Sequence, residues 1–258
     1  MPPDPGFPIA DIAAFLLCVA LATAIQNVTG FAFGLVLLGL SASLHIASVS
    51  DAANAAMVLT LVNAAVSFSG GRARPPWRLM RPALLGSAAG VAIGVLSLAW
   101  LSSNAVVYLR ALLGITIIAC AAALLWHSKP LHQLSKPAAF VRTGFLSGLL
   151  GGLFSSSGPP LVYHMYRQPL SHELVRQALL LAFAFNACLR LVFVIPAGQM
   201  SAHSMVLAAC AIPVVFGITR WQLGRPIALP QALLKKMAAA LLVLSGLGLL
   251  VSALQAIV

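Results

Sequence analysis

Acidic residues are almost missing from this 258-residue chain, which has only Asp4, Asp11, Asp51 and Glu173, and residues of either charge make up just 7% of it. Soluble domains carry about 25% charged residues, so no water-facing surface can be built from this composition. The same scarcity excludes chemistry. None of the four carboxylates lies in the middle of a long apolar run. Asp51 and Glu173 fall near predicted helix starts, where a carboxylate serves as cap or dipole partner. A carboxylate proton relay or a charged cation site therefore lacks support, and an anionic or neutral solute fits better. The four cysteines, Cys18, Cys120, Cys188 and Cys210, stand singly in apolar runs. Without CxxC spacing or a Cys/His pair, neither a disulfide framework nor a zinc site is indicated, and no metal or cofactor is expected. No G-x-x-x-x-G-K-[ST] loop is present, so the chain does not itself hydrolyse ATP. Residues 1–8 (MPPDPGFP) lack the basic segment of a signal peptide, and the first apolar run is expected to stay in the mature protein.

Hydrophobic residues, by contrast, form 61% of the chain. Six runs, at 51–69, 82–101, 105–126, 171–195, 201–221 and 233–256, are long enough to cross a core that needs about 20 apolar residues. Two further stretches are interrupted. Residues 9–45 are broken across Gln26-Asn27-Val28-Thr29-Gly30, and residues 139–168 across Gly151 to Pro160 (GGLFSSSGPP). Each reads as a helix-break-helix hairpin whose limbs are too short, or barely long enough, to span. Hairpin plus three spans occurs twice, in 1–126 and 139–258, joined by a cytoplasmic linker at 127–138. This is an internal repeat. A shift of 123 residues superposes Asn54 on Gln177 and Asn63 on Asn186, and with one gap Gly34 falls on Gly158.

The net charge of +11 raises nucleic acid as a partner, but the basic residues sit in short segments between apolar runs. That is how membrane proteins fix their orientation, so the bilayer is the partner and nucleic acid is not. Thirteen of the fifteen lie in four segments: Arg72, Arg74, Arg78 and Arg81; Lys129, Lys136 and Arg142; Arg167 and Arg176; Arg220, Arg225, Lys235 and Lys236. If each hairpin enters and returns on one side, all four segments face the cytoplasm. Both termini then lie outside, and the second half is inverted relative to the first. The fold class expected is an all-α polytopic membrane protein of two inverted-topology repeats, the plan used for alternating access to one central site.

The two-repeat plan, with small-residue breaks at Gln26 to Gly34 (QNVTGFAFG) and Gly148 to Pro160 (GLLGGLFSSSGPP), resembles the sulfite exporter TauE/SafE family of bacterial permeases. The resemblance covers essentially the whole chain. It implies a multi-pass protein of the bacterial cytoplasmic (inner) membrane that moves sulfite, a sulfonate or a related sulfur-containing anion. Thr29-Gly30-Phe31 and Ser155-Ser156-Ser157 stand where many members are richer in glycine.

Irregular backbone inside a bilayer is tolerated only where protein or a water-filled cavity shields it, so the breaks are the candidate substrate site. Half-helices starting near Thr29 and Ser157 would aim free N–H groups and positive dipole ends at mid-membrane. Gln26, Asn27, Gly30, Ser156 and Gly158 complete the two breaks. The alternative is that Thr29 and Ser157 only cap helices and the glycines only permit close packing. Asn63 and Asn186, at matching repeat positions, either line the cavity or make a helix-to-helix hydrogen bond. Arg190 follows Asn186 by four residues and shares its helix face; it shapes an anion pathway or snorkels to the outer headgroups, as does Arg110. His164, two turns beyond Ser157, is a candidate proton-linked group or a structural histidine.

A secondary carrier for a small anion is the function these features indicate. An anion channel would use the same dipole-lined breaks and is separated from a carrier by saturation and counterflow. An intramembrane enzyme built on Ser155 to Ser157 and His164 lacks a G-x-S-x-G elbow and an orienting carboxylate. Self-association into a homo-oligomer is compatible with the sequence.

Overall fold

The computed structural model describes residues 9–44, 46–69, 74–100, 131–154 and 158–225, with scattered positions between 114 and 122 and between 230 and 251. Every regular element among them is a helix: α1 Ile9–Thr29, α2 Phe33–Ser43, α3 Val49–Ser69, α4 Trp77–Trp100, α5 Pro137–Phe154, α6 Pro159–Tyr166, α7 His172–Val194 and α8 Ala202–Gly224. Five of these, α1, α3, α4, α7 and α8, carry apolar stretches of 20 to 23 residues, enough to cross a hydrocarbon core about 30 Å thick. Large apolar side chains such as Leu17, Leu85 and Phe216 remain exposed on the outside of the bundle, where lipid takes the place of water. The protein is an all-helical, multi-pass membrane protein. The runs expected at 105–126 and 233–256 lie largely outside the described residues.

Local chemistry sets the helix starts. Ser171 accepts from the Leu174 N–H at 3.3 Å to open α7, and Ser201 accepts from the Ser204 N–H at 3.0 Å to open α8. Ser48 accepts from the Asp51 N–H at 3.0 Å at the head of α3. These are side-chain caps on otherwise orphaned amides. α1 differs from the sequence reading. It continues helically through Gln26 and Asn27, because their amides find partners on α3 and α8, and the chain turns only at Gly30 to Ala32. The first limb of the expected hairpin is thus long enough to span by itself, whereas the second, α2, has 11 residues and is not.

The helices pack in parallel pairs that join the two halves of the sequence. α4 and α5 run in one direction, with Ala83 against Gly144, Ser87 against Gly148 and Val91 against Gly152. Gly86, Gly90 and Gly94 on α4 face Gly144, Gly148 and Gly152 on α5, each set spaced every four residues. The backbones approach so closely that a Cβ at Gly144 would lie 2.1 Å from the Ala83 carbonyl oxygen, and one at Gly148 2.2 Å from that of Ser87. Lipid offers no hydrophobic drive for helix pairing, so close van der Waals fit between small residues supplies it. α8 runs parallel to α1 and α3: Asn27 bonds Thr219 and Gln222 near their ends, Asn63 bonds Thr219, and Asp51 bonds Ser201 at the starts. α7 runs parallel to α4 and α5, through Ser87 to Asn186 and Arg190 to Gly151.

The Arg176 contact with the Asn27 carbonyl joins the start of α7 to the end of α1, so α4, α5 and α7 begin at the end of the bundle where α1, α3 and α8 finish. Arg74, Arg78, Arg81, Lys136, Arg142, Arg167, Arg176, Arg220 and Arg225 gather at that end. Asp51, Gln199 and Ser201 mark the opposite one.

Candidate functional site

Between the two breaks lies a cavity of about 70 Å³ bordered by Gln26 of α1, Ala32 to Leu35 at the start of α2, Thr60 of α3, Gly151 and Gly158 at the second break, and Phe183, Asn186 and Arg190 of α7. A single water needs some 10–15 Å³ by the same measure, so the space holds several waters or one small ion. Gly34 and Gly158, the pair matched between the repeats, both border it.

The first break is held from three sides. Gly30 has φ +82°, and a Cβ there would lie 2.8 Å from the Arg176 Cα, so only glycine fits both conformation and space. Ala32 takes φ 79°, a left-handed conformation that costs a non-glycine residue energy. The Thr29 hydroxyl lies 2.8 Å from the Ile25 carbonyl oxygen and 2.9 Å from that of Phe31, and the Tyr166 hydroxyl donates to the Thr29 carbonyl at 2.7 Å. Arg176 donates to the Asn27 carbonyl at 3.2 Å, placing a cation at the negative end of α1. Tyr166→Phe keeps the edge contact with Phe31 but strands the buried Thr29 carbonyl. It should lower stability by about 1–2 kcal/mol, read as an earlier thermal unfolding in detergent; an unchanged transition would show that the hydroxyl does not hold the break.

The two half-helices differ as donors. α2 opens with the free N–H groups of Phe33, Gly34 and Leu35, the last two of these residues bordering the cavity with Phe33. α6 opens on Pro159 and Pro160, which have no N–H to offer. Donors on the far side come instead from α7. Asn186 and Arg190 sit one turn apart on the same face, as their spacing predicts. The Arg190 Nη1 donates to the Gly151 carbonyl at 2.8 Å and the Gly152 carbonyl at 3.4 Å, at the C-terminal end of α5. Its Nε is buried and has no partner among the described residues. Asn186 Oδ1 accepts from the Ser87 hydroxyl, and its Nδ2 is likewise buried without a partner among the described residues. Among the described residues no carboxylate borders the cavity, and the ion pair of Arg176 with Glu173 at 2.6 Å lies elsewhere. The cavity wall thus carries one desolvated cation, Arg190, and the residues that open α2, a combination suited to an anion.

Of the residues singled out from sequence, Gln26, Gly158, Asn186 and Arg190 meet at the cavity wall. Thr29 and Gly30 form the corner of the first break, behind that wall. Asn27 joins Thr219 and Gln222, and Asn63 donates to Gln26 at 2.7 Å while fully buried. His164 packs edge-on against Phe140, centroids 4.8 Å apart, and its Nε2 lies 3.3 Å from Gln168 Nε2, away from the cavity. Ser155, Ser156 and Ser157 lie outside the described residues, as does Arg110. Sequence reasoning missed Ser87, Thr60 and Tyr166. A hydroxyl inside a membrane run was the available signal for the first two.

A family model described as sulfite exporter TauE/SafE matches residues 15–249. A curated protein of Cupriavidus necator, named probable sulfite/organosulfonate exporter TauE, is 36% identical over 236 residues, covering 91% of each chain. No solved structure matches the chain.

Proposed function

The chain belongs to the sulfite exporter TauE/SafE family, and on that premise we propose that it carries sulfite or a small organosulfonate outward across the bacterial cytoplasmic membrane by alternating access. Family membership makes it a membrane transporter and not an enzyme. The observation that carries the choice of an anion is Arg190, a cation on a cavity that no carboxylate borders among the described residues; its Nε, like Asn186 Nδ2, is buried and has no partner among those residues. A sulfite or sulfonate group has three oxygens to accept from them and from the N–H groups opening α2, with Gln26 on the opposite wall. Loss of the ion's hydration shell is offset by fixed donors and one positive charge.

Alternating access is supported by the reciprocal packing of the helices. In the repeat, α1 corresponds to α5, α3 to α7 and α4 to α8. α4 of the first half lies along α5 and α7 of the second, and α8 of the second lies along α1 and α3 of the first. Corresponding helices run in opposite directions, as inverted repeats require. The basic end of the bundle is cytoplasmic by the charge rule, which leaves both termini outside.

The test is uptake of labelled sulfite and sulfoacetate into proteoliposomes, with chloride as competitor. Saturable flux with counterflow is expected, and Asn186→Ala should raise KM roughly 3- to 10-fold, the scale of one lost hydrogen bond. Flux without saturation would make the protein an anion channel, and absence of sulfite or sulfonate flux in folded protein would remove the substrate class.

A further inference from the structure

Resting on the anion reading above, we propose that Asn63, Thr219, Asn27 and Gln222 are positioning residues: together they hold Gln26 with its amide N–H₂, and not its carbonyl oxygen, toward the cavity. Five polar side chains from α1, α3 and α8 form one chain of hydrogen bonds, and only Gln26 among them borders the cavity. A primary amide offers acceptor and donor ends of nearly the same shape, so a glutamine can serve a cation or an anion equally well. What decides is which end is committed elsewhere.

The sense of the chain is set at two points, where it meets the backbone at Ala24 and where the Thr219 hydroxyl donates its proton to Asn63. Gln222 Nε2 donates to the Ala24 carbonyl at 3.3 Å, and a carbonyl can only accept. The amide of Gln222 is thereby fixed with Oε1 toward Asn27, which must present its Nδ2, at 2.7 Å. That same Nδ2 donates to Thr219 Oγ1 at 3.1 Å. The hydroxyl has one proton, and it goes on to Asn63 Oδ1 at 2.7 Å. Asn63 therefore turns its Nδ2 to Gln26 Oε1, also at 2.7 Å. The acceptor end of Gln26 is used, and its donor end is left for the cavity. Running the chain the other way would set the Ala24 carbonyl against the Gln222 carbonyl oxygen. Asn27 Oδ1, buried and without a partner among the described residues, is the one group this sense leaves unsatisfied. Gln26, Asn63 and Thr219 are 2%, 0% and 1% exposed, so no bulk water can substitute for a missing link.

The relay completes a ring of donors, from Gln26 on one wall and Asn186 and Arg190 on the other, and turns away the carbonyl that a cation would need. It also makes anion affinity depend on α8, which itself does not border the cavity.

Labelled sulfite uptake into proteoliposomes tests this with variants distant from the ion. Thr219→Val removes the central hydroxyl at nearly constant volume, letting Asn63 and Gln26 turn over together. KM should rise roughly 3- to 10-fold with kcat retained, and Thr219→Ser, which keeps the hydroxyl, should restore the native KM. Gln26→Ala should raise KM by itself, and adding Thr219→Val to it should change nothing more, the signature of one pathway. A KM increase of equal factor in both backgrounds, or none in the native background, would reduce the network to helix-to-helix attachment and overturn the positioning role. Absence of saturable sulfite flux in the unaltered protein would instead remove the anion reading, and the relay with it.

Discussion

Arg190→Ala is expected to abolish measurable saturable anion flux, the largest functional loss of any single change in the protein. Two losses coincide. The cavity loses the only cation that borders it among the described residues, and the Gly151 and Gly152 carbonyls at the end of α5 lose the donor that neutralises them. Removing one partner from a buried charged contact typically costs about 2–5 kcal/mol, which as lost binding is roughly 30- to 5,000-fold. Arg190→Lys keeps the charge but cannot serve the α5 carbonyls and an anion with one planar group, so it should fall between native and Ala. Arg176→Lys is the control, since Arg176 serves the Asn27 carbonyl at the far end of α7. Uptake kinetics of folded, reconstituted protein decide the matter. Native kcat/KM in Arg190→Ala would show that the anion passes elsewhere.

For stability the largest effect is expected at the glycine seam. Gly148→Ala drives a Cβ to within 2.2 Å of the Ser87 carbonyl oxygen and 2.8 Å of the Ser87 Cα. Backbone cannot yield as a flexible side chain does, so α4 and α5 must separate. Overpacking of this kind costs about 1–3 kcal/mol or more, and here the loss of the close-fitting seam adds to it. Because Ser87 also holds Asn186, protein that still folds should bind sulfite more weakly. Gly39→Ala and Gly217→Ala meet nothing within 4 Å and should be neutral or stabilising by about 0.5–1 kcal/mol, since alanine favours helix. Thermal unfolding in detergent compares them, and equal behaviour of Gly148→Ala and Gly217→Ala would dismiss the seam.

How far the sequence could be read depended on whether the relevant partner was near or far along the chain. Asn186 and Arg190 were legible as one face because four-residue spacing is a property of any helix. The broken stretches were legible because polar and small residues interrupt apolar runs. Gln26 and Asn27 misled as to where α1 ends, since the polar side chains that keep them helical belong to Asn63, Thr219 and Gln222, up to 195 residues away. The repeat register paired Asn63 with Asn186, yet one lies behind Gln26 and the other borders the cavity. Both accept from a hydroxyl, Thr219 on α8 or Ser87 on α4, but only Asn63 finds an acceptor for its Nδ2, in Gln26, among the described residues. Four-residue glycine spacing on α4 and α5 was present to be read, but each set lies in an ordinary apolar run, and nothing local announces that the two sets meet.

That meeting has a consequence for how the protein is made. Gly86 leaves the ribosome about 60 residues before Gly144, a delay of seconds at synthesis rates of about 5–20 residues per second. Throughout it the glycine face of α4 lacks the α5 backbone that fills its groove in the finished fold. The first half is thus inserted unfinished, its adhesive face open to any small-residue helix passing in the membrane, and it becomes a settled structure only when the second half arrives to close it.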